Sequence, residues 1–189
     1  FKMVGVIYST KRPKADQSPY ESIEAGLASC TGLSFMLIDA CRSVGIPARF
    51  VGTPMWYNNS GNHSWVEIWD DGWHFTGAYE PTGNKLNDGW FTGLAARAVE
   101  GHPEYGIYAA TWKKTDNFFP MDWKPGVNKY YAYDVTSNYH KYLDDNFIPL
   151  RIKVTDKDGE RKSVFVSITA DNDFSFSGYT KDERNDAND

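Results

Sequence analysis

The chain has no apolar run of membrane-spanning length, only two cysteines and no surplus of positive charge. Each shortage removes a class of function. Without about 20 consecutive apolar residues, no segment reads as a transmembrane helix. No secretory leader is legible either, and the chain opens on Phe1 rather than Met, as a trimmed chain would. Lysine and arginine number 20 against 25 aspartates and glutamates, a net charge of −5. With no Lys/Arg run, a nucleic-acid or anionic-membrane surface is not expected. The four histidines include no His-Glu-x-x-His pair, and His63, Glu67 and His74 lack a recognised ligand spacing. Neither a metal nor a cofactor is therefore expected. Cys30 and Cys41 fall on one predicted helix, roughly 16 Å apart at about 1.5 Å of rise per residue, which is beyond disulfide reach.

Aromatic residues, by contrast, are abundant: 16% of the chain, with seven Trp and twelve Tyr. That exceeds what a core of this size needs, so part of the excess is expected to line a substrate groove. Trp56, Trp65 and Trp90 are the candidates. At 189 residues the chain has room for one full domain and the start of another.

The most informative stretch is Ser29-Cys30-Thr31-Gly32-Leu33. From Leu33 the apolar residues Met36, Leu37, Ala40, Cys41 and Val44 follow at helical spacing, and Gly45 stops the pattern. Ser29 reads as the N-cap. Cys30 is thereby predicted among the free N–H groups at the positive end of a helix, where a thiolate is favoured and the thiol pKa falls. Its own backbone N–H is the first oxyanion donor to consider, and the upstream Gln17 side chain the nearest second one. Cys41, on the apolar stripe, reads as a small buried hydrophobe.

Around this helix the pattern predicts a strand or element tail over 3–8, a short helix start over 19–23 broken by Gly26, and a strand over 46–52. His63 to Trp69 alternates as a strand and 73–79 as its partner, with Asp71-Gly72 between them. A two-residue loop there sets His63 opposite Glu80, whereas a three-residue loop pairs it with Tyr79. Further on, 90–99 suggests a helix, 107–112 and 129–134 strands, and 135–143 a turn or short helix. Residues 148–155 and 163–170 read as a hairpin turning at Asp156-Lys157-Asp158-Gly159. The charged, apolar-poor tail over 181–189 is expected to be disordered.

A thiol, an imidazole to take its proton and a carboxylate to orient that imidazole are the parts of an acyl-transfer triad. Cys30, His63 and Glu80 supply them in that order. Together with Arg42-Ser43-Val44-Gly45-Ile46-Pro47-Ala48-Arg49, His63-Ser64-Trp65-Val66-Glu67-Ile68-Trp69 and Glu80-Pro81, they resemble the transglutaminase-like superfamily, relatives of papain-type cysteine proteases, over about 27–81. The resemblance implies an α+β fold, with a nucleophile helix packed on an antiparallel sheet and a C-terminal hairpin or partial β-sandwich. On that basis the expected boundaries are 1–146 for the catalytic domain, 147–178 for the hairpin and 179–189 for the tail. It also implies a bacterial-type enzyme, periplasmic or extracellular, acting on an amide bond of a peptide, protein or glycopeptide through nucleophile Cys30, base His63 and third member Glu80. The family more often carries aspartate before that proline, so Glu80 is one methylene longer. The rival reading is a peptide- or glycan-binding module on the same fold.

Overall fold

The computed structural model describes residues 1–80, 82–143, 152–169 and 175–180. Pro81, the proposed domain boundary near residue 146 and the tail over 181–189 lie outside them. A parallel pair, β1 (Ile7–Tyr8) and β2 (Leu27–Ala28), joins the N-terminal segment to the start of the nucleophile helix. Of residues 3–8, expected as a strand or element tail, the first two belong to a turn of 3₁₀ helix over Lys2–Val4 and only Ile7–Tyr8 is strand. Helix α1 (Pro19–Ala25) has a full capping box, in which Ser18 Oγ accepts from the Glu21 N–H and the Glu21 carboxylate accepts from the Ser18 N–H. Gly26, at φ +65°, ends it where the sequence placed the break.

Helix α2 (Cys30–Ser43) begins at the expected cap, with Ser29 Oγ accepting from the Gly32 N–H at 3.0 Å. Its buried stripe differs from the purely apolar pattern. Thr31, Ser34 and Ile38 are buried with Leu33, whereas Ala40 is exposed and Val44 is 72% exposed. Small polar residues serve here because the helix lies close against the sheet, and the Thr31 and Ser64 hydroxyls hydrogen-bond across that contact at 3.1 Å.

The main sheet has the order β5-β4-β3-β6-β7 and is antiparallel throughout. Its strands are β3 (Ala48–Thr53), β4 (His63–Trp69), β5 (Trp73–Thr76), β6 (Tyr108–Ala110) and β7 (Ala132–Asp134). One face packs on α2 through Leu33, Ile38, Phe50 and Val66. The other carries an aromatic cluster of Trp56, Trp65, Phe75, Phe91 and Tyr139. Alternation along β4 thus divides Val66 and Trp65 between two cores.

Of three later expectations, the first is cut short and the second holds. The predicted helix over 90–99 shrinks to α3 (Thr92–Ala95). The turn or short helix expected over 135–143 is present as two 3₁₀ turns, at Thr136–Asn138 and His140–Tyr142. In the C-terminal segment, β8 (Phe165–Thr169) pairs with β9 (Ser175–Tyr179). Among the described residues, the Asp156–Gly159 turn closes an isolated bridge between Thr155 and Arg161, and the Lys162 N–H donates to the Val154 carbonyl at 2.9 Å. Residues 148–151 of that predicted hairpin lie outside the described set.

Candidate active site

Cys30 stands at the first position of α2, half-buried beside the start of β4. The residue it meets on β4 is Ser64, the immediate neighbour of His63. Burial pushes the Cys30 thiol above its ordinary value, against hydrogen bonds from Ser64 and Thr31 that pull it down. The expected depression by the helix terminus is therefore outweighed, since the terminal partial charge acts on a sulfur largely removed from water. Cys41 is raised too, by burial alone.

His63 opens β4 on the opposite face, and its ring is enclosed by aromatics. Ring centroids of Phe91 and Trp90 lie 4.8 and 4.9 Å away, and those of Trp65 and Trp56 at 5.8 and 6.2 Å. Burial lowers the imidazole to about 4, while the Glu80 carboxylate pulls the other way. The ring is therefore neutral at pH 7.

Glu80 reaches His63, with its Oε1 at 3.5 Å from Nε2, but not by the route expected. The hairpin pairs Trp69 with Trp73 and Val66 with Thr76, so its loop has three residues, 70–72, and the register is one residue off the two-residue expectation. Asp71 takes a left-handed conformation at φ +50°, which accommodates the extra residue. β5 then ends at Thr76, and the chain turns through Gly77, Ala78 and Tyr79 to bring Glu80 back. A Cβ on Gly77 would lie 3.1 Å from the Glu80 side chain, a tight contact that the side chain would have to yield to.

Gln17 is almost wholly buried, and both amide hydrogens are committed. Its Nε2 donates to the carbonyls of Glu21 and Leu27 at 3.2 and 3.0 Å. It ties α1 to β2 and has no donor left for an oxyanion. Trp56 and Trp65 are 2% and 0% exposed and belong to the core, which corrects their placement along a groove. Trp90 alone of the three is exposed, and its indole N–H donates to Glu80 Oε1 at 2.8 Å.

Sequence reading missed the network beneath His63. Arg49 donates to Glu67 Oε2, the Tyr139 hydroxyl donates to Glu67 Oε1 at 2.7 Å, and Trp65 Nε1 donates to the Tyr139 oxygen at 2.7 Å. The alternation of β4 put His63, Trp65 and Glu67 on one face, but nothing local pointed to Tyr139, 72 residues beyond Glu67. The two ring nitrogens of His74 meet the Asp70 carbonyl and the Asn87 amide. Among the described residues, no group of three or more His, Cys, Asp and Glu side chains is placed to hold a metal ion. No helix among them is long and apolar enough to cross a membrane. Two surface clefts, of about 400 and 230 Å³, are lined around Pro13–Ala25 and around Phe119–Asn128. Neither is lined by Cys30, His63 or Glu80.

These features define a class: an α+β domain with a cysteine at a helix N-terminus, packed on the strand that starts with a histidine. Residues 3–78 match the transglutaminase-like superfamily. The matched segment holds Cys30 and His63 and stops two residues short of Glu80. No curated protein and no solved structure matches the chain.

Proposed function

We propose that the protein is a thiol-dependent hydrolase or acyltransferase that acts on an amide bond of a peptide or glycopeptide. The observation that carries this reading is the 3.5 Å approach of Glu80 Oε1 to His63 Nε2, with Cys30 against the residue next to that histidine. A carboxylate facing Nε2 favours the tautomer with its proton there. Nδ1 is then the free base.

In this reading both groups rest in their neutral forms and the thiol proton passes to Nδ1 as Sγ attacks the carbonyl carbon, a step that requires the imidazole to reach the Cys30 side of β4. The Cys30 N–H at the start of α2 receives the developing oxyanion. The C–N bond then breaks, the amine leaves with the proton held by His63, and a thioester remains on Cys30. Water resolves it in hydrolysis, and a second amine resolves it in transfer.

The raised Cys30 thiol also suits a binding module without turnover. Labelling with a thiol-directed electrophile across pH separates the two. A thiol assisted by neutral His63 reacts at a rate that levels off once His63 has lost its proton, well below pH 7. An unassisted buried thiol gains about tenfold per pH unit through neutrality, because only its thiolate fraction reacts. A rate that keeps that slope from pH 5 to 9, with Cys41 labelling no slower, would overturn the enzyme reading.

A further inference from the structure

Trp90 is 60% exposed, yet it makes two directed contacts with the site. Its indole N–H holds Glu80 Oε1 at 2.8 Å, the same oxygen that stands 3.5 Å from His63 Nε2. Its ring also lies over the imidazole, with centroids 4.9 Å apart and planes at 56°. The other carboxylate oxygen, Oε2, accepts from the Tyr79 N–H at 3.1 Å. Glu80 is thus anchored at both oxygens by groups other than His63, whose buried Nε2 has no hydrogen-bond partner. At 3.5 Å the carboxylate would still attract a protonated ring, while a good hydrogen bond is already lost.

The backbone makes this possible at Gly89. A Cβ there would come within 3.0 Å of the Phe91 ring, and without one the chain folds tightly enough to present two consecutive aromatics to His63. Phe91, fully buried, takes the inner side, and Trp90 takes the outer side.

We propose that Trp90 is a positioning residue: its N–H fixes how far the Glu80 carboxylate stands from His63, and its ring keeps water from the imidazole edge. The consequence for turnover rests on the amide-bond reading above, but the positioning itself is measurable without turnover. Glu80 is the charged group that acts on His63. Removing Trp90 therefore has two separable effects. Trp90→Phe keeps a ring and frees Oε1 to close on Nε2, and Trp90→Ala also admits water.

The test is the titration of His63 followed by NMR in the whole, histidine-labelled chain. In Trp90→Phe the midpoint should rise, and in Trp90→Ala it should rise further, by about 1 in total, the scale of an ordinary environmental shift. Equal midpoints in the two variants and the parent would overturn the proposal. A second measurement does not use a Trp90 variant. Glu80→Gln should move the Trp90 indole N–H resonance, and an unmoved resonance would overturn the anchoring. If turnover is present, Trp90→Phe should lower kcat with KM held. A chain that shows both NMR effects but never turns over would refute the amide-bond reading and leave the positioning role standing.

Discussion

Arg49 and Glu67 stand opposite each other on β3 and β4, and Nε and Nη2 of the arginine reach the same carboxylate oxygen at 2.7 and 2.6 Å. Both side chains are largely buried, at 13% and 4% exposure, and the guanidinium also lies 4.1 Å from the centre of the Trp73 ring. Arg49→Met removes the partner and leaves a buried carboxylate, a change that costs about 3–5 kcal/mol. Urea unfolding should show that loss, and a loss under about 1 kcal/mol would mean the pair is solvated. Tyr139→Phe, which removes one neutral donor from the same carboxylate, should cost less.

His63 sets the acid side of the stability profile. Unfolded, it takes a proton near its ordinary pKa of 6.5; folded, it does so only near 4. Between those values the unfolded chain binds more protons, so stability falls as pH drops through that window, by on the order of 3 kcal/mol. Above pH 6.5 this residue contributes no pH dependence. Half-buried His102 is lowered in the same direction, so the check is a comparison of unfolding midpoints from pH 8 to 4.5 in the parent and in His63→Gln. Curves of the same slope would remove His63 from the account.

Glu80→Gln keeps the side chain's shape and removes its charge. If Glu80 holds the His63 tautomer, turnover should fall by roughly 10²–10⁴-fold, the range seen for triad carboxylates. Glu80→Asp should lose less, although the shorter side chain must reach over a backbone fitted to glutamate. Asp88→Asn is the control, since the Asp88 contacts described are backbone ones, a carbonyl that accepts from Thr82 and a bridge to Thr76. A crippled Asp88→Asn beside a full-rate Glu80→Gln would move the third role to Asp88.

Gly52 lies where β3 passes closest to the site. A Cβ there would come 2.9 Å from the His63 carbonyl oxygen and 3.3 Å from both Ser64 Oγ and the Phe119 ring. Gly52→Ala must push the first residues of β4 away from β3, at about 1–3 kcal/mol for overpacking. The displacement falls on His63 and Ser64 themselves. Cys30 labelling should therefore slow at the same time as the unfolding midpoint drops, and an unchanged labelling rate would disconnect β3 from the thiol.

Where local chemistry determines structure, the sequence was read correctly. Ser29 and Gly45 bound α2 because a hydroxyl cap and a glycine act on their own neighbours. The alternation from His63 to Trp69 gave β4 its true limits for the same reason. Of the two hairpin registers the sequence allowed, the three-residue one formed, because Asp-Gly suits both loops and the choice rests on the conformation of Asp71. Glu80 lies near His63 through the turn after β5 and not through the strand pairing. The aromatic excess was misread because composition cannot tell a groove from a second core. Trp56 and Trp65 stack at 6.1 Å inside the sheet's far face. Likewise, the pKa of Cys30 depended on burial that no cap residue reveals.

The segment that matches the superfamily is not portable. Cut after Ala78, it would keep α2, β3, β4 and β5, but the far edge of β3, which pairs Val51 with Ala109 and Gly52 with Tyr108, would be left bare. Trp65 Nε1 would lose its acceptor, Glu67 Oε1 its donor, and His63 the Phe91 ring beneath it. Grafting that segment onto another scaffold would therefore transplant the reactive side chains without the floor they stand on, and any minimal design needs the chain through Tyr139.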